Sequence, residues 1–108
     1  MEYGLWINGQ WQAGSGTVDV ENPATGKTVA QVATAGEREV NAAVAAAKAA
    51  FDDGRWSKAT PGERSGVLWK MADIIEARAD ELAKIETEDT GKPYEFISKG
   101  GDLPFVVD

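Results

Sequence analysis

Residues 60–93 constrain the fold more than any other stretch of this chain. The opening, Thr60-Pro61-Gly62-Glu63, offers a Thr N-cap, a Pro at the first helical position and a Glu where a capping box needs one. The close, Thr90-Gly91-Lys92-Pro93, offers a glycine suited to a left-handed C-cap and a proline that forbids continuation. Between them Val67, Leu68, Met71, Ile74, Ile75, Leu82 and Ile85 recur at helical spacing. At about 100° per residue they share roughly one third of the circumference. Lys70, Asp73, Glu76, Asp80 and Lys84 fall outside that arc. Arg78 projects into the middle of it, which predicts a break near 77–80 with Asp80 as a second N-cap. Trp69 points away from the stripe. The reading is a long amphipathic helix or a collinear pair.

The residues before it read as strands. Leu5-Trp6-Ile7-Asn8-Gly9-Gln10-Trp11 is a hairpin signal, because Asn-Gly supplies the two positive-φ residues of a type I′ turn. Gly14-Ser15-Gly16 is a turn. Thr17–Glu21 and Thr28–Val32 alternate as strands around the turn Asn22-Pro23-Ala24-Thr25-Gly26. The first third is thus expected to be a small antiparallel β-hairpin unit. Gly36 resembles an N-cap, with Glu37 and Glu39 complementing the helix dipole. Val40, Val44, Ala47 and Phe51 then share one helix face, and Asp52-Asp53-Gly54 ends it.

Beyond Pro93, Gly100-Gly101 is expected to break the chain and Asp102 to cap a short helix containing Phe105, Val106 and Val107. One or two turns are not stable alone, and these apolar residues need a surface. The expectation is an α+β fragment, a single segment 1–108. It divides into β-hairpins over 1–34, a helix over 36–53, a helix pair over 60–90 and the truncated start of a further helix over 93–108. The rest of a longer chain would complete it.

Composition narrows the chemistry. Eighteen acidic against eleven basic residues give a net charge of −7, which disfavours nucleic acid and anionic membrane as partners. No cysteine is present, so there is no thiolate nucleophile, disulfide or zinc–thiolate site. No histidine is present either, which removes the commonest general base and transition-metal ligand. The sequence shows neither a membrane-length apolar run nor a signal pattern, so a cytoplasmic location is the expectation.

Candidate motifs carry little. Gly14-Ser15-Gly16-Thr17 resembles a phosphate loop, but Asp19 stands where a third glycine is needed and a strand follows where a helix must begin. Glu86, Glu88 and Asp89 cluster without calcium-loop spacing and read as a solvated acidic face. Ser15, Ser57, Ser65 and Ser98 lack a histidine to activate them. No two carboxylates are placed across a cleft for glycosidic chemistry. The residues alone lead to a soluble α+β domain, with a non-catalytic helical interaction module as one alternative.

Several stretches in order resemble one family. They are Leu5–Trp11, Asn22-Pro23-Ala24-Thr25-Gly26, the Ala-rich helix ending in Phe51, Trp56-Ser57, Pro61-Gly62-Glu63-Arg64, and Glu86-Thr87-Glu88-Asp89-Thr90-Gly91-Lys92-Pro93. Their order and spacing is similar to the N-terminal region of the NAD(P)-dependent aldehyde dehydrogenase superfamily. Gly101-Asp102-Leu103-Pro104-Phe105 leans toward its betaine-aldehyde or aminoaldehyde members. The resemblance implies an oxidoreductase parent that uses a cysteine nucleophile, NAD or NADP, and a glutamate-activated water to turn an aldehyde into an acid. It implies that the nucleophile and the cofactor loop lie outside these 108 residues. No catalytic and no cofactor-binding residue carries over, and the segment alone is expected to bind no NAD and to be inert. The aldehyde would meet only the full-length parent, and the partners of the segment would be the remainder of that chain and a second copy. One family feature, a monovalent cation site, maps onto the Asp89 carboxylate and the Glu21 backbone carbonyl, with the remaining ligands supplied from elsewhere in the parent.

Overall fold

The computed structural model describes residues 2–108. The chain divides into two units, residues 1–20 with 28–59, and residues 21–27 with 60–108.

The first unit is built from short strands and one helix. β1 is Glu2–Tyr3, β2 is Leu5–Ile7 and β3 is Gln10–Gln12. β2 and β3 pair antiparallel, with Trp6 opposite Trp11. The turn between them has Asn8 at φ 52° and Gly9 at φ 76°, the left-handed pair that Asn-Gly tolerates. Across the hairpin the two indoles meet edge to face, their centroids 5.1 Å apart. β4 is Gly16–Asn22 and β5 is Lys27–Thr34. They lie side by side in a three-stranded sheet of order β1-β5-β4.

The β region is therefore not a purely antiparallel unit. β1 runs parallel to β5, with Glu2 opposite Gln31 and Tyr3 opposite Val32. A two-residue strand pairing with chain some thirty residues on leaves no periodic trace in the sequence, so this edge was not foreseen.

α1 spans Glu37–Asp52 and packs against β2. Its start is fixed by Glu39, whose carboxylate accepts the Gly36 N–H at 2.9 Å and the Arg38 Nε–H at 2.7 Å. These bonds, that from Arg38 foremost, hold the Glu39 carboxyl below its usual range. The predicted apolar face of α1 stays open: Val44 is 62% and Phe51 72% exposed. Ile7 is the buried large apolar residue here.

The second unit is helical. α2 runs Pro61–Ala77 and α3 runs Ala79–Thr90. The capping box at Thr60 forms as the sequence requires. The Thr60 hydroxyl accepts the Glu63 N–H at 3.2 Å, and Glu63 accepts the Thr60 N–H at 2.7 Å. The break falls at Arg78, whose φ of −112° and ψ of 17° leave helical space. Asp80 does not cap α3. Its carboxylate instead pairs with Lys99 at 2.8 Å and accepts the Tyr94 hydroxyl at 3.2 Å. Arg78 escapes the apolar arc by pairing with Glu81, at 2.7 and 2.9 Å. Gly91 ends α3 at φ 73°.

Gly100 and Gly101 do not break the chain. They lie in a π-helical turn, Tyr94–Asp102, that continues into α4, Leu103–Val107. The wide turn is visible in the i→i+5 bond from the Ser98 N–H to the Pro93 carbonyl, 3.3 Å. In such a turn a Cβ on Gly100 would lie 2.6 Å from the Glu95 carbonyl oxygen. Glycine is thus a condition of this helix rather than its terminator. Asp102 makes no side-chain cap. Ala83 of α3 and Ser98 of the wide turn are both fully buried and form the centre of this unit. The stripe on α2 is largely uncovered, with no buried residue on that helix.

Candidate functional site

The residues matched to a cation site both belong to the second unit. Asp89 sits on the last turn of α3 and Glu21 near the end of β4; both side chains are exposed. Their segments meet through Gly91. A Cβ added there would lie 3.0 Å from Pro23 Cγ and 3.3 Å from the Ala24 nitrogen. The turn after β4 is tight enough to present its backbone, because the Thr25 and Gly26 N–H groups bond the Asn22 carbonyl at 3.1 and 2.8 Å. The Asn22 side chain adds an Asx turn by accepting the Ala24 N–H at 2.9 Å. Among the described residues no group of three or more carboxylates converges as a metal would require.

A polar cluster lies beside this point. Glu86, expected on a solvated acidic face, and Asp102, expected as a cap, are both joined to Lys92, which the sequence alone did not connect to either. Lys92 Nζ donates to Glu86 Oε1 at 3.0 Å and to Asp102 Oδ2 at 2.8 Å. Asp102 first, then Glu86, raises the Lys92 ammonium above its ordinary value. In return Lys92 holds the Asp102 carboxyl below the usual range. Beneath it the Thr87 hydroxyl donates to the fully buried Ser98 Oγ at 2.9 Å. The signal for this cluster was present as Lys92 and Asp102, but only the helical path across Gly100 brings them together.

Neither cluster holds groups poised for covalent chemistry. The recesses are open, and those of the second unit are lined by helix faces. One of about 240 Å³ is bordered by Ser65, Leu68, Trp69, Ala72 and Val107. Another, of about 300 Å³, is bordered by Ile75, Glu76, Ala79, Lys99, Leu103 and Pro104. A dinucleotide cradle needs a glycine turn that delivers a helix N-terminus to the pyrophosphate. Here Gly14-Ser15-Gly16 delivers β4, and Ser15 bonds back to the Thr34 carbonyl through its N–H at 2.9 Å and its hydroxyl at 3.2 Å. This turn therefore does not form such a cradle.

The aldehyde dehydrogenase family model matches residues 11–107. The chain belongs to the aldehyde dehydrogenase family. It is 40% identical to a putative aldehyde dehydrogenase, DhaS, of Bacillus subtilis, over 96% of this chain and 21% of that protein. It is 46% identical to aminoacetaldehyde dehydrogenase of Pseudomonas aeruginosa, over 87% of this chain and 19% of that one. In structure it is similar to an aldehyde dehydrogenase of Bacillus cereus seen in complex with NAD+. That match has a TM-score of 0.91 at 38% identity, over 99% of this chain and 22% of the other. The chain therefore spans about a fifth of the length of the aldehyde dehydrogenases it matches. Among the described residues no helix is long and apolar enough to cross a membrane.

Proposed function

We propose that this chain is the N-terminal segment of an NAD(P)-dependent aldehyde dehydrogenase whose whole length oxidises an aldehyde to a carboxylic acid in the cytoplasm. The segment supplies outer strands and first helices, and the reacting groups belong to the rest of the protein. One observation carries the reading. The chain aligns almost end to end with a fifth of its relatives while its own helices leave Val44, Phe51, Leu68 and Phe105 more than half exposed. Those faces await other parts of the same fold. The leaning of Gly101–Phe105 toward aminoaldehyde oxidation is consistent with the aminoacetaldehyde relative. The two glycines and Pro104, however, also answer a local need of the wide turn, so the reading commits only to an aldehyde.

Two further elements belong to this proposal. Exposed apolar faces of this extent drive association, so the purified segment is expected to self-associate. Asp89 and the Glu21 carbonyl are proposed as two ligands of a monovalent cation in the whole protein, supported by the seat of Gly91 on Pro23 and Ala24.

The experiment compares the purified segment with the full-length protein. The full-length protein is expected to form NADH or NADPH from an aldehyde. The segment is expected to form none and to scatter light as a species larger than its 11.5 kDa. A full-length protein without aldehyde-dependent reduction of either nucleotide defeats the reading. For the cation, Asp89→Asn should abolish the gain in melting temperature of the full-length protein when potassium replaces choline. An unchanged gain removes Asp89 from the site.

A further inference from the structure

The wide turn Tyr94–Asp102 is an unusual way to reach α4. π-helical turns are rare and persist where the surroundings hold them. Two features here favour the wide form from within. Pro104 has no N–H to give and its ring crowds the carbonyl four residues back, that of Gly100. Gly100 removes the side chain that the closed backbone would strike, 2.6 Å from the Glu95 carbonyl oxygen.

These features permit the turn but do not aim it, since paired glycines leave the backbone soft. The aim comes from side chains. Lys92 lies just before the turn and Asp102 is its last residue, so their 2.8 Å ion pair joins one end of the turn to the other. The same ammonium reaches Glu86 on α3 at 3.0 Å, which ties the closed turn to its neighbour. At the midpoint Ser98 is fully buried, and Thr87 of α3 donates to it at 2.9 Å. With the ties of Tyr94 and Lys99 to Asp80 of α3, these contacts fall at the start, middle and end of one segment, and only those of Lys92 reach from one end of the turn to the other.

We propose that Lys92 is a strap: by bridging Asp102 and Glu86 it holds the Tyr94–Asp102 turn in its wide form and so fixes the side to which α4 presents Phe105 and Val106. Phe105 is 87% and Val106 62% exposed. The direction of α4 therefore decides which surface these two residues can meet. The strap works through backbone geometry and takes no part in the chemistry of the parent, so its test is independent of the dehydrogenase reading.

Hydrogen–deuterium exchange on the full chain tests it, with the amides of α1 as internal reference. Lys92→Met and Asp102→Asn are each expected to speed exchange at 94–107 about fivefold, the equivalent of a partly buried ion pair, and to leave α1 unchanged. The double variant should exchange no faster than the faster single one, because both remove the same tie. Lys92→Arg, which can still span both carboxylates, should keep exchange near the parent rate. Parent-like exchange in both single variants overturns the proposal. So does an additive double variant, or an equal acceleration in α1.

Discussion

α1 and the wide turn solve the same problem in opposite ways. α1 carries its apolar residues outward, with Val40 50%, Val44 62% and Phe51 72% exposed, and its polar ties lie only at its two ends, around Glu39 and between Lys48 and Asp52. The wide turn has little apolar matter inside it, yet it is tied at several points, by Ser98 to Thr87, by Tyr94 and Lys99 to Asp80, and by Lys92 to Asp102 and Glu86. Polar contacts are short-range and directional, so a segment can complete them with its own neighbours. Apolar burial needs area, and area of this size has to come from elsewhere. The contrast shows which parts of the chain are self-sufficient and which are half of an interface.

The largest test of that contrast is Phe51→Ala. If the α1 face is covered in the full-length protein, the substitution should cost it about 3–5 kcal/mol. The segment alone should lose less than about 0.5 kcal/mol, as at other exposed positions. Denaturant unfolding of both settles it, and equal losses would mean that the face is never covered. Next in size is Ser98→Leu. No space is free around a fully buried Ser98, so overpacking plus the stranded Thr87 hydroxyl should cost about 2–4 kcal/mol. A melting temperature within a degree or so of the parent would show that α3 and the turn separate easily.

The smallest effect concerns the α2 cap. Thr60→Ala should cost about 1 kcal/mol. The Thr60 N–H, with its hydroxyl, holds the Glu63 carboxyl below the usual range. A carboxylate whose folded value is depressed stabilises the fold above its unfolded value, about 4. That contribution is lost as pH falls through the lower folded value. Melting temperature should therefore drop between about pH 5 and pH 3, and the drop should be shallower in Glu63→Gln. Identical slopes would detach Glu63 from the cap.

What could be read from sequence follows the range of the interactions. The Asn8-Gly9 turn, the Thr60 capping box and the Gly91 terminus are written within four or five residues, and each forms as its residues dictate. The arrest of the helix near Arg78 was legible because a charge interrupts an apolar arc, but the role of Asp80 was not. Its partners Lys99 and Tyr94 lie fourteen or more residues away. Gly100-Gly101 was misread for the same reason. Paired glycines signal a break unless a neighbouring helix holds them, and only the fold shows Thr87 and Lys92 doing so. For the cation pair, Glu21 and Asp89 were nominated by resemblance alone. The structure brings their segments together at Gly91 and leaves both side chains in solvent.

The indole pair on the first hairpin has a practical consequence. Two aromatic chromophores held edge to face at 5.1 Å couple their excited states, and the coupling is chiral because the strands twist. The intense indole bands lie in the far ultraviolet, so circular dichroism there carries an exciton couplet from Trp6 and Trp11. Loss of that couplet reports the hairpin opening, superposed on the helical signal of the same region.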